Sequence, residues 1–144
     1  MLCFVIPRNE VLGEALYTLA SGIIRRRSRT LSLTALSTLA TLEHTGRRRL
    51  TDLAVAEEIA QPSMTSLVTQ LERLGLAERR RDRVDARVVL VEITHAGRQL
   101  LRKRRRAGAE ALTELIDKLD EQDAAELNAA LPALLRLVDV VASS

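Results

Sequence analysis

Two short stretches of this sequence carry side chains suited to reading duplex nucleic acid. The first is Gln61-Pro62-Ser63-Met64-Thr65-Ser66, continued by Thr69 and Gln70. A glutamine amide pairs in bidentate fashion with the edge of adenine, and serine or threonine hydroxyls serve bases and phosphates alike. In the first turns of a helix, such residues stand where a major-groove recognition helix presents its reading side chains. The second stretch runs from Arg79, Arg80 and Arg81 through Asp82, Arg83 and Asp85 to Arg87. Arg79, Arg80 and Arg81 are expected to lie along a hairpin and meet phosphates, which fix position without reporting sequence. Arg87 is the residue chosen for insertion into a minor groove, whose narrow form attracts arginine. Arg83 shares that role at the tip, and Asp85 is expected to hold Arg87 by an ion pair across the loop.

Elements of the right kind surround both stretches. Val11, Leu12, Ala15, Leu16, Leu19, Ala20, Ile23 and Ile24 recur at helical spacing between Pro7 and the run Arg25-Arg26-Arg27, which predicts a helix with one broad apolar stripe. A second helix is expected from about Ser32 to His44, with Gly46 as its stop. Thr51 reads as the N-cap of a short helix to about Ile59. Pro62, tolerated in a first helical turn, opens the next helix, with Met64, Leu67, Val68, Leu71 and Leu74 inward and Gly75 closing it. Two helices joined by a tight turn make a helix-turn-helix. After Gly75 the period changes: Leu76 to Arg80 and Val88 to Ile93 read as strands joined by a polar loop, and a basic hairpin after a helix-turn-helix is a wing. Thr94 caps a long helix, and Asp120 begins the last one. There Leu127, Leu131, Leu134, Val138 and Val141 fall at the heptad spacing of helices packed lengthwise. Pro132 interrupts that seam and is expected to kink or divide the helix.

The fold class is therefore mainly α with a small β-hairpin wing. A winged helix-turn-helix over residues 31–94 lies between helices over 1–30 and 95–144, the whole read as one unit of 144 residues. Phe4 and Tyr17 are the only aromatic residues, so aliphatic side chains must fill the core, which suits packed helices better than a β-sandwich. Charge is unevenly placed. Residues 73–106 hold 12 Lys+Arg against 4 Asp+Glu, and residues 107–144 hold 2 against 8. Such a split sets a surface that attracts a polyanion beside one that does not.

Other residues carry less. Cys3 stands alone, makes no internal disulfide and fits a reducing cytoplasm; no neighbour would activate it as a redox sensor. The apolar tip Met1 to Ile6 is too short for a signal peptide, and no apolar run approaches a membrane span. His44 and His95 lack metal-ligand spacing. No phosphate loop or nucleophile motif is present, so neither catalysis nor a cofactor is expected. Arg102 to Arg106 wraps around its helix axis and reads as a solvated face, and the Arg25–Arg29 and Arg47–Arg49 clusters stay ambiguous. Tyr17 fits a ligand pocket, and fits the core or an interface at least as well. Because the lobe has no stacking aromatic, a single-strand binder is disfavoured. A sequence-neutral architectural duplex binder remains the rival reading.

Residues 33–98 resemble the MarR (multiple antibiotic resistance regulator) family of winged-helix transcription regulators. The likeness rests on Leu33-Thr34-Ala35-Leu36, Leu50-Thr51-Asp52-Leu53-Ala54, Gln61-Pro62-Ser63-Met64-Thr65 with Leu71-Glu72-Arg73-Leu74-Gly75-Leu76, and Asp82 to Arg87 followed by Thr94-His95-Ala96-Gly97, all in register. It implies a cytoplasmic homodimer with interleaved terminal helices, for which Leu12, Leu16, Leu19, Ile23, Leu127, Leu131, Leu134, Val138 and Val141 are the expected interface. It further implies a pseudo-palindromic operator on double-stranded DNA, a repressor's role, and release by a small aromatic or lipophilic effector. The chain departs from the family at Ala60, where a capping Ser is usual, and at Glu58, where the turn often has Gly. Ser66 replaces a frequent DNA-contacting Arg, and the wing lacks prolines.

Overall fold

The computed structural model describes residues 8–25, 31–82, 85 and 87–143, excluding the side chains of residues 8, 23–25, 142 and 143. The expectations on Cys3, Pro7, Arg83 and the side chain of Ile23 lie outside the described residues. In chain order the elements are α1 (Arg8–Arg25), α2 (Leu33–Thr45), β1 (Arg48–Arg49), α3 (Leu50–Ala56), α4 (Gln61–Arg73), β2 (Ala77–Arg81), β3 (Val89–Ile93), α5 (His95–Ile116) and α6 (Glu121–Ser143). This is the mainly helical winged-helix architecture that the sequence predicts.

Helix ends follow local chemistry. Ser32 accepts from the Ala35 N–H at 3.1 Å and caps α2, while Gly46 closes that helix at φ 75°. Gly75, at φ 69°, lets the chain leave α4: its own N–H reaches the Glu72 carbonyl and the Leu76 N–H reaches Leu71, both at 2.9 Å. That paired closure is a Schellman motif. Thr94 accepts from the Gly97 N–H at 3.1 Å, so the predicted cap is present; Asp120, expected to begin the last helix, accepts from the Asp123 N–H at 2.8 Å and caps α6. Thr51 is different. It lies inside α3, whose N-cap position belongs to Arg49 without a side-chain cap bond. The helix starts two residues earlier than a Thr51 cap would place it, because β1 delivers the backbone there already extended.

β1 has no counterpart in the sequence reading. It pairs antiparallel with β3 through Arg48↔Val91 and Arg49↔Leu90, giving a three-stranded sheet in the order β1-β3-β2. Two arginines carry no periodicity from which a strand is predicted; the unpaired edge of β3 supplies their partners.

The chain divides into two compact units, Met1–Arg106 and Ala107–Ser144, where the sequence reads as one. The core of the first unit joins Leu39 and Leu42 of α2, Leu53 of α3, Met64, Val68 and Leu71 of α4 and Val91 of β3, all essentially inaccessible. Leu101 of α5 is the last residue along the chain to enter it. Each such aliphatic side chain contributes roughly 1.5–3 kcal/mol by leaving water. The buried Thr38 hydroxyl is satisfied by the Thr34 carbonyl at 2.9 Å. In the second unit α6 runs undivided through Pro132, contrary to one of the two outcomes expected there. The proline removes one backbone bond and costs ~3 kcal/mol, which a 23-residue helix absorbs. No described helix is long and apolar enough to cross a membrane.

Candidate nucleic-acid interface

The turn between α3 and α4 is built on backbone bonds that reverse the chain. Glu57 N–H reaches Leu53, Glu58 N–H reaches Val55 and Ile59 N–H reaches Ala54, at 3.0–3.1 Å. Closing so tight a reversal drives Glu58 to φ 52°, the one positive φ of a non-glycine among the described residues. The Thr41 hydroxyl donates to the Glu57 carboxylate at 2.9 Å and ties the turn to α2. Ala60 then takes extended N-cap geometry, φ −63° and ψ 141°, with no side-chain bond to offer.

From this start α4 projects two faces. Met64, Val68 and Leu71 are buried, with Leu67 half-buried beside them. Gln61, Ser63, Thr65, Ser66 and Gln70 are exposed, and Thr69 is half-buried. Three of the hydroxyls donate back along the helix: Thr65 to Gln61 O at 2.9 Å, Ser66 to Pro62 O at 3.1 Å and Thr69 to Thr65 O at 2.9 Å. With their protons engaged, the exposed Thr65 and Ser66 hydroxyl oxygens offer lone pairs as acceptors, which suits the amino groups of adenine or cytosine, whereas the Thr69 oxygen accepts from Arg79.

The hairpin pairs β2 with β3 from Ala77↔Ile93 to Arg81↔Val89. Side chains alternate between the faces, so Glu78 and Arg80 share one and Ala77, Arg79 and Arg81 the other. Glu78 sits directly opposite Glu92, a like-charge pairing that would destabilise the ladder. Arg80 resolves it, lying 2.8 Å from the Glu78 carboxylate and 2.7 Å from that of Glu92. Arg47, just before β1, closes on the other Glu92 oxygen. Burial alone would raise the Glu92 carboxyl. The hydrogen bond and charge of Arg47, then the charge of Arg80, outweigh it and hold the group below the ordinary carboxylate value.

On the opposite face the guanidinium of Arg79 turns onto α4, pairing with Glu72 and reaching the Thr65 carbonyl and the Thr69 hydroxyl. The three consecutive arginines therefore do three different things. Arg79 is committed to the recognition helix and Arg80 to two carboxylates, while Arg81 is exposed without a partner among the described residues. Strand alternation and the nearby acids thus divide three residues that the sequence treats alike. Glu72 is a residue that sequence reasoning misses. The available signal is its position seven residues before Arg79, with the helix-ending Gly75 between them to fold one onto the other.

At the tip the carboxylates serve the main chain. Asp82 accepts from the Asp85 N–H at 3.1 Å and Asp85 from the Arg87 N–H at 2.9 Å; the Asp82 N–H and Val88 carbonyl close the loop at 2.8 Å. Asp85 thus positions Arg87 through its backbone, not through the expected ion pair, since a short carboxylate reaches an N–H two residues on more readily than a side chain leading away. The Arg87 guanidinium is left exposed.

A helix-turn-helix with an outward polar helix and a basic hairpin defines a winged-helix transcription regulator. The sequence profile of the MarR family matches residues 31–89. An HTH-type transcriptional regulator of Mycobacterium bovis is 35% identical over 115 residues, 80% of either chain. The chain belongs to the MarR family. Among solved structures it resembles a transcriptional regulator of Thermotoga maritima, with TM-score 0.73 and 19% identity over 94% of this chain and 96% of that one. It also resembles an S. aureus MepR mutant bound to an oligodeoxyribonucleotide, with TM-score 0.68 and 19% identity over 92% and 99%.

Proposed function

We propose that this chain is a sequence-specific regulator of transcription that binds double-stranded DNA as a homodimer on a pseudo-palindromic operator, in the cytoplasm and as a repressor. The observation that carries the reading is α4. Its apolar face is locked in the core while Gln61, Ser63, Thr65, Ser66 and Gln70 stand outward, in the position from which a recognition helix meets base edges. Thr69 and Gln70 serve phosphates or flanking bases one turn later. Arg81 and Arg87, exposed and with no acidic partner among the described residues, offer guanidiniums to phosphate and minor groove, with Arg80 at the margin and Asp85 shaping the loop beneath Arg87. Arg83 is assigned a share of the same minor-groove role. The MepR structure with its bound oligodeoxyribonucleotide supports the same use of the shared fold.

The flanking helices, residues 1–30 and 95–144, are assigned to the dimer, and residues 31–94 to the DNA-binding lobe. In the single chain α1 exposes Val11, Leu12 and Leu19, and α6 exposes Leu127, Leu131, Val138 and Val141, while Leu16 and Leu134 are half-buried. Apolar stripes of this length are unfavourable in water and support burial against a second copy. Family resemblance adds an effector, a small aromatic or lipophilic anion that releases the DNA.

Selection of random duplexes by the purified chain tests the proposal. An inverted repeat with half-sites about one helical turn apart supports it. Retention without consensus favours a sequence-neutral architectural binder, and no retention at low salt removes the DNA-binding assignment. Light scattering of the same sample reads the dimer.

A further inference from the structure

We propose that Glu72 sets the sequence discrimination of this regulator and that Arg79 is a positioning residue withheld from the DNA backbone, an inference that rests on the DNA-binding function above. Both oxygens of Glu72, in the last turn of α4, engage one residue of β2. Oε1 accepts the Arg79 backbone N–H at 3.0 Å, and Oε2 pairs with its Nη1. The remaining terminal nitrogen, Nη2, donates to the Thr65 carbonyl at 3.3 Å and the Thr69 hydroxyl at 3.2 Å. One guanidinium therefore spans from the first turns of the recognition helix to its last, while its own backbone is fixed at the root of the wing.

The pair is three-quarters shielded, with side-chain exposures of 26% and 27%, so salt screens it less than an open surface pair. The fork geometry matters as much as the charge. A planar guanidinium presents donors in several fixed directions, whereas a lysine ammonium is a point donor on a flexible stem. Two effects follow from this arrangement. The recognition helix and the wing are held at one mutual angle, so major-groove reading by Gln61 and Ser63 and minor-groove insertion of Arg87 stay in register. In addition, a cation that would otherwise reach phosphate is neutralised within the protein. Sequence-neutral affinity comes from phosphate neutralisation, and sequence is read by groups held against base edges. Glu72 lowers the first and protects the second, and specificity is the difference between the two affinities.

The test uses the full chain with two duplexes, one selected from a random library and one of scrambled sequence, titrated over about 50–200 mM salt. Arg79→Gln is expected to weaken the selected duplex about tenfold, leave the scrambled one nearly unchanged, and leave both salt slopes as in the wild type. Arg79→Lys is expected to follow Arg79→Gln despite its retained charge. Glu72→Gln is expected to tighten the scrambled duplex and steepen its slope by about 0.9 per phosphate newly neutralised. A slope that flattens by about 0.9 in Arg79→Gln and returns in Arg79→Lys makes Arg79 a phosphate ligand and overturns the proposal. An unchanged slope in Glu72→Gln overturns the role of Glu72. If Arg79→Gln does not fold, as read by circular dichroism, Arg79→Lys and Glu72→Gln decide the matter. A wild type that binds neither duplex removes the DNA-binding function itself, an outcome distinct from every variant pattern above.

Discussion

Gly97, in the first turn of α5, is pressed against the backbone of Leu76: a Cβ there would stand 2.3 Å from the Leu76 carbonyl oxygen and 2.7 Å from Ile93 Cγ1. The same Leu76 carbonyl accepts the Thr94 N–H at 3.0 Å, and the Thr94 hydroxyl donates to Gly75 O at 2.6 Å. The start of α5 is thereby stapled to the end of α4 across the root of the wing. Because the obstacle is backbone, it has no rotamer by which to yield. Gly97→Ala is expected to destabilise the fold by about 3 kcal/mol, the upper end for overpacking. A urea titration measures this; a loss under about 1 kcal/mol would mean that the junction yields.

Glu58 holds a left-handed backbone that glycine adopts freely. For an ordinary L-residue this conformation costs roughly 1–2 kcal/mol. Glu58→Gly is therefore expected to raise the midpoint of thermal unfolding at fixed protein concentration, by an amount equivalent to about 1 kcal/mol. An unchanged or lower midpoint would show that glycine's extra freedom in the unfolded chain cancels the relief.

Ala60 has the backbone of an N-cap without the oxygen. Ala60→Ser supplies an acceptor for the free N–H groups of the first turn of α4 and is expected to stabilise by ~1 kcal/mol. Amide exchange at Ser63, the N3 position, slows if the new hydroxyl caps the helix, and is unaffected if it turns to solvent.

Glu92 supplies a pH dependence whose sign is fixed. Its carboxyl is held below the ordinary value by Arg47 and Arg80 against the opposing effect of burial. A group with a depressed folded pKa contributes stability above its unfolded value, about 4.3. That contribution is lost as pH falls through the lower folded value. Glu92→Gln should accordingly lower the urea midpoint at neutral pH, and the two proteins should converge as pH falls through the depressed folded value. A gap that persists in acid would assign the effect to shape instead of charge.

Gln61 and Arg87 should separate reading from anchoring. Gln61→Ala is expected to alter which bases are selected at one position of each half-site, costing about 1–3 kcal/mol there with the salt slope preserved. Arg87→Ala is expected to flatten the slope by about 0.9 for each phosphate it ceases to neutralise and to weaken preference for narrow-groove flanks. Selection followed by salt titration distinguishes the two; identical profiles would place both residues outside the interface.

Much of this protein is legible locally. Caps and stops at Ser32, Gly46, Gly75, Thr94 and Asp120 act over three or four residues, so side-chain type and spacing are enough to place them. The apolar stripe of α4 and the change of period after Gly75 follow from the same short-range rules, and with them the winged helix; the left-handed Glu58 is signalled only by the family's frequent Gly at that place. What the tertiary structure alone decided is the fate of individual charges. Arg79, Arg80 and Arg81 are indistinguishable in sequence, yet one binds the recognition helix, one bridges two carboxylates and one faces solvent, because alternation sends neighbours to opposite faces and each face meets different acids. β1 exists only because the edge of β3 offers partners to two residues that have no strand signal of their own. Ion pairing and edge pairing depend on which distant segments converge, and the geometry of convergence is set by packing of the core, not by any residue's nearest neighbours.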